Sequence, residues 1–188
     1  MSPFRRFAFS GFPVRWISFT IVLLLVTALQ KTVAPFIAVH TIRPDLMVVF
    51  AVYCALTART YDALLACWFI GLAIDLSSLS FVAGANVGLH ACALGLIGLL
   101  IVSLRDLTFR ESIVTQLFFT FVAKMLLAVL TGAHLLYVVK SGPRLGEVLL
   151  CGLYSAVYTV ALAPYGHWAF RRLRNVLGIG LTHRLRMR

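Results

Sequence analysis

Six apolar runs, separated by segments too short to fold on their own, leave this chain few architectures. They lie at about Val14 to Val33, Leu46 to Ala58, Ala63 to Leu76, Ala85 to Val102, Ile113 to Val139 and Val148 to Phe170. A transmembrane helix needs about 20 mainly apolar residues at 1.5 Å rise per residue, so 188 residues hold roughly six spans and no separate soluble catalytic domain. Composition agrees: 61% of residues are hydrophobic and 12% charged, against about 25% charged in soluble domains. The expectation is an all-α polytopic membrane protein of about six transmembrane helices. Residues 1–170 form a single transmembrane helical domain, and 171–188 form a basic tail.

The second and third runs are short, and reach membrane thickness only by starting at Pro44 and ending near Leu79. Full spanning is preferred to a re-entrant hairpin, which would leave Arg59 and Asp62 deep in the bilayer. Arg5, Arg6 and Arg15 ahead of the first run resemble a secretory signal, but no convincing small-x-small cleavage site follows, so the run reads as a retained first helix. With six spans, twelve of the 17 basic residues fall on the side of both termini and four on the other, Lys124 being inside a span. The positive-inside rule then places both termini in the cytoplasm.

The net charge of +11 does not indicate nucleic acid, because the basic residues sit in short loops and tails rather than on one folded polar surface. Cysteines 54, 67, 92 and 151 lie inside apolar runs without C-x-x-C spacing, and read as small packing residues. The tail carries Leu173, Val176, Leu177, Leu181 and Leu185 at helical spacing between arginines, the pattern of an interfacial helix on an anionic leaflet. Gly178 and Gly180 weaken that helix, and a disordered basic stop-transfer tail is the competing reading.

Few residues could carry chemistry. Lys124 stands about eleven residues into the fifth run, where a lone ammonium costs about 2.5 to 3.5 kcal/mol on insertion scales. Asp75 in the third run lies at similar depth, so an Asp75–Lys124 pair is one expectation; the alternative is a cap on the following turn, with Ser77 and Ser78 as partners. Gly84, Gly88, Ala91, Gly95 and Gly98 put small residues on one stripe of the fourth run, where another helix can approach closely. Asn86 and His90 occupy a neighbouring face. His90, His134 and His167 lie at depths that disfavour a haem held between histidines. The six acids, at 45, 62, 75, 106, 111 and 147, are scattered over different loops and depths, and no nucleophile with an oriented base, metal cluster or phosphate loop is evident. No cofactor, no metal and no enzymatic activity are therefore expected.

The order RPDLMVVFAVYCAL (Arg43 to Leu56), GLAIDL (Gly71 to Leu76) and GLHA (Gly88 to Ala91) resembles the rod shape-determining MreD family over about Arg43 to Gly95. The resemblance implies a bacterial cytoplasmic-membrane protein, similar in fold to the substrate-binding subunits of energy-coupling-factor transporters. It also implies a scaffold rather than an enzyme, acting with MreC and, through it, with MreB, RodA and a class B penicillin-binding protein in lateral peptidoglycan synthesis. By that likeness Gly71, Asp75, Gly88 and His90 fall on the family's recurrent positions, whereas the arginine-rich tail and Lys124 depart from its pattern. Gly71, Asp75, Gly84, Asn86, Gly88, His90, Gly95 and Lys124 are the resulting partner-binding or structural candidates. The rival expectation is a small-molecule-binding transporter subunit in which Asp75, Asn86, His90 and Lys124 line a cavity.

Overall fold

The computed structural model describes residues 12–38, 42–77, 88–105, 112–134 and 145–173. They form six helices: α1 (Phe12–Thr32), α2 (Leu46–Thr57), α3 (Thr60–Ser77), α4 (Leu89–Leu104), α5 (Ile113–His134) and α6 (Leu145–Arg172). Each apolar run yields one helix, and α3, α5 and α6 are each long and apolar enough to cross a membrane.

α2 is the axis of the bundle. Every residue from Met47 to Leu56 is buried, so this helix is apolar all round and touches no lipid along that stretch. The other five surround it in the order α1, α3, α4, α5, α6, each packed on α2 and the α3–α4 and α5–α6 pairs most extensively on each other. Lipid-facing positions on the outer helices carry Ile21 and Leu24 of α1, Leu96 and Leu99 of α4 and Val114 and Phe118 of α5. Where α1 and α6 flank the axis, aromatic rings fill the space: Phe19 of α1 stacks on Phe50 of α2 at 5.8 Å, and Phe50 meets Phe170 of α6 at 4.9 Å.

Two expected boundaries shift. α2 begins at Leu46 rather than Pro44, because Asp45 turns its carboxylate onto the Val48 N–H and so becomes the N-cap. Its 12 residues cover about 18 Å, so α2 does not by itself cross a hydrocarbon core of about 30 Å. α4 begins at Leu89 rather than Ala85, because Gly88 takes φ 101°, a left-handed conformation through which a right-handed helix cannot run. The small-residue stripe on α4 is therefore Ala91, Gly95 and Gly98, and Gly88 marks its start rather than belonging to it. Gly84, Asn86 and the tail beyond Leu173 lie outside the described residues. Of the cysteines, Cys54 and Cys67 pack in the interior, whereas Cys92 and Cys151 are exposed, so the packing reading applies to two of the four.

Arg105, counted above as a basic loop residue, is buried beneath the end of α2. Its guanidinium donates to the carbonyls of Ala55 at 2.8 Å and Ala58 at 2.5 Å and to the Thr60 hydroxyl at 3.3 Å. A cation there satisfies terminal carbonyls and complements the negative end of the helix dipole.

Candidate functional site

The first polar joint ties α3 to α4. Asp75, in the last turn of α3, is buried with its carboxylate aimed at the first turn of α4. One oxygen accepts the Gly88 N–H at 2.8 Å and the Ala91 N–H at 3.2 Å; the other accepts the His90 N–H at 3.3 Å and His90 Nδ1 at 2.8 Å. A carboxylate without a proton can bond Nδ1 only where that nitrogen carries the hydrogen. Asp75 thus caps a neighbouring helix rather than its own: three N–H groups that an α-helix leaves unsatisfied at its start find an acceptor, and the negative charge sits at the positive end of the dipole.

Glycine makes that reach possible. A Cβ on Gly71 would strike the His90 carbonyl oxygen and stand 2.5 Å from the Ala91 Cα, both backbone atoms that cannot swing aside. Farther along the pair, a Cβ on Gly98 would lie 2.8 Å from Cys67 Sγ, whereas one on Gly95 would make ordinary contact with Trp68 at 3.8 Å. The small residues of α4 therefore serve packing against α3 within the chain.

The second joint holds the start of α2. Lys124 Nζ bonds Asp45 Oδ2 at 2.6 Å, with the two side chains 15% and 17% exposed. The expected Asp75–Lys124 pair is therefore overturned: α2 is too short to carry Asp45 to the rim, so Asp45 meets Lys124 halfway along α5, while Asp75 is engaged by α4. The Asp45 N–H donates to Thr159 Oγ1 at 3.1 Å, and Gln30 of α1 bridges the turn, donating to the Pro44 carbonyl at 3.0 Å and accepting the Leu46 N–H at 2.8 Å. Ser155 donates to the Arg43 carbonyl at 3.2 Å, and Tyr158 to the Ile37 carbonyl at 2.5 Å. Non-helical backbone survives at membrane depth only where protein groups satisfy it, and α1 and α6 supply those groups here.

Gly71, Asp75, Gly88 and His90 are thus brought together, Gly95 sits two turns farther along α4, and Lys124 belongs to the other joint. Sequence reasoning missed Gln30, Asp45, Ser155, Tyr158 and Thr159. Asp45 carried a readable signal, an N-cap residue directly before an apolar run, but its partners are 79 and 114 residues away. Of the other histidines, His134 ends α5, and His167 is buried with its ring 5.9 Å from that of Tyr53. No group of three or more His, Cys, Asp or Glu among the described residues could hold a metal ion.

No curated protein and no solved structure matches the chain. The family model of the rod shape-determining protein MreD matches residues 10–164, most of the sequence, and spans five helices completely together with most of α6. The chain therefore belongs to the MreD family, and is a membrane protein with a role in determining rod shape.

Proposed function

We propose that this protein is a non-enzymatic scaffold of the bacterial wall-elongation complex, binding MreC within the cytoplasmic membrane. Through MreC it associates indirectly with MreB, RodA and a class B penicillin-binding protein, and so supports lateral peptidoglycan synthesis. It crosses the inner membrane several times with both termini in the cytoplasm. One observation carries this reading: the intramembrane groups that stand out as potential chemistry, Asp75, His90, Asp45 and Lys124, bond to one another and to backbone, fixing helices in place. What remains for a partner is the outer, apolar surface of the ring of helices.

Co-purification from native membranes tests it. MreC is expected to be retained with tagged protein, and retention is expected to fall with Asp75→Ala in proportion to lost assembly. Absence of MreC, with normal cell shape after deletion of the gene, would overturn the reading.

One feature favours a second reading. α2 starts in the bundle interior beside Lys124, the arrangement by which broken helices hold small ligands in transporters. A subunit of that kind, similar to the substrate-binding subunits of energy-coupling-factor transporters, would retain a metabolite through purification. Its affinity would depend on Lys124.

A further inference from the structure

The ring of outer helices has one open step. Each packs on the next from α1 through α3, α4 and α5 to α6, but α6 does not close on α1 in the same way. The described parts of the connection from α1 to α2, residues 33–38 and 42–45, occupy that step, tied to α1 by Gln30 and to α6 by Ser155, Tyr158 and Thr159. Ser155, which holds the Arg43 carbonyl, is ten residues or about 15 Å into α6. α6 is 28 residues long, about 42 Å, so Ser155 stands inside a hydrocarbon core of about 30 Å even with the whole excess at the N-terminal end of the helix. Non-helical backbone at that depth is not left facing lipid. Yet Arg43 is exposed, and no described residue accepts a hydrogen bond from its guanidinium.

The bordering face of α6 is also unlike a lipid-facing one. Tyr154, Tyr158 and Tyr165 follow at spacings of four and seven, which puts them on one stripe. Tyr158 reaches the Ile37 carbonyl, so the stripe borders the connection. Tyr154 is 58% and Tyr165 75% exposed, and no described residue bonds their hydroxyls. The two stand about 16.5 Å apart along the axis with Tyr158 between them, so the row runs through the core rather than along one interfacial belt. Leu150, Val157 and Ala161, exposed at spacings of seven and four, form a separate stripe that is aliphatic throughout, as lipid contact requires.

We propose that the open step between α1 and α6 docks a single membrane-spanning helix of a partner protein, one that carries a carboxylate level with Arg43. This rests on the scaffold reading, in which the partner is MreC, and adds the face that it occupies. A helix satisfies its own backbone, so it can cover irregular backbone that acyl chains cannot. A carboxylate matches the guanidinium fork, and the tyrosine hydroxyls can bond polar groups across a helix interface. A second copy of the chain does not supply that carboxylate. Of the acids among the described residues, Asp45 and Asp75 are engaged inside the bundle, Asp62 is in the first turn of α3 and Glu147 in the first turn of α6.

Photo-crosslinking of the full chain in native membranes tests the site. The photoreactive residue p-benzoylphenylalanine replaces Tyr154 or Tyr165 in turn, with Leu96 of α4 and Phe118 of α5 as control positions on other outward faces. Adducts to MreC from the two tyrosine positions should exceed those from the controls several-fold. Arg43→Gln should lower them several-fold with the far-ultraviolet dichroism unchanged, since only the backbone of Arg43 is bonded within the bundle. Co-purification of MreC from the same membranes distinguishes failure of the site from failure of the scaffold. MreC retained, with adducts equal at all four positions or confined to Leu96 or Phe118, would overturn the site and leave the scaffold standing. Loss of both retention and adducts would overturn both. Adducts from the tyrosine positions only to lipid, or only to a second copy of the chain, would overturn the site, and adducts indifferent to Arg43→Gln would overturn its ion pair.

Discussion

Asp75 and Asp45 are both buried or half-buried carboxylates at the starts of helices, yet the protein stabilises them by different means. Asp75 is held mainly by oriented dipoles, the N–H groups of Gly88, His90 and Ala91, with the His90 ring as a further donor. Asp45 accepts one backbone N–H, from Val48, and draws its compensation from the Lys124 ammonium. The difference follows from geometry. Asp75 looks across a glycine-lined contact at an entire uncapped helix start, whereas Asp45 caps its own helix and has other charge capacity to satisfy. A joint built mainly from dipoles spreads its compensation over several donors; a joint built on one ion pair leaves a bare charge when one member is lost.

The largest effect should therefore come from Lys124→Met, which strands Asp45 without its cation. A loss of about 3–5 kcal/mol is expected in SDS-titrated unfolding of the purified protein, with most of it restored by adding Asp45→Asn, which keeps the cap and removes the charge. Failure of the double variant to recover would break the distinction between the two joints. Asp75→Ala should cost less, about 1.5–3 kcal/mol, the range for a hydrogen bond to a charged group. Its signature is local: amide exchange at Gly88, His90 and Ala91 should accelerate while α2 stays protected. The glycines give the finest contrast. Gly71→Ala should destabilise by about 1–3 kcal/mol through overpacking against the α4 backbone. Gly95→Ala, where only an ordinary contact with Trp68 is made, should be neutral or stabilise by up to about 1 kcal/mol through helix propensity, as read by the same unfolding curve.

The sequence singled out the residues of the α3–α4 joint but not their pairing, and left the α2 joint opaque, for a physical reason. Apolar run length and the isolated Asp75 within GLAIDL are local properties, and Gly88 and His90 follow within 15 residues, so a hairpin brings them together. Lys124 was equally conspicuous, but its partner was misassigned because depth was reckoned from full-length spans. Once α2 is half a span, Asp45 moves from the membrane rim to the interior and becomes the nearer acid. The same shortening explains why Gln30, Ser155 and Tyr158 went unnoticed: they serve carbonyls exposed by non-helical backbone that a continuous helix would have satisfied itself. Arg105 was hidden differently, since a charge at a helix end near a loop has the same sequence appearance whether it meets solvent or a buried carbonyl.

The capping of α2 also has a temporal side. Chain growth delivers this central helix 47 residues before Arg105 can reach Ala58, 79 before Lys124 can reach Asp45, and 114 before Thr159 can. At the moment of insertion α2 has Gln30 behind it and none of these later groups, so it cannot settle as an independent span. The hydrogen bonding of the bundle's axis is therefore complete only once Thr159 of the sixth helix has been made.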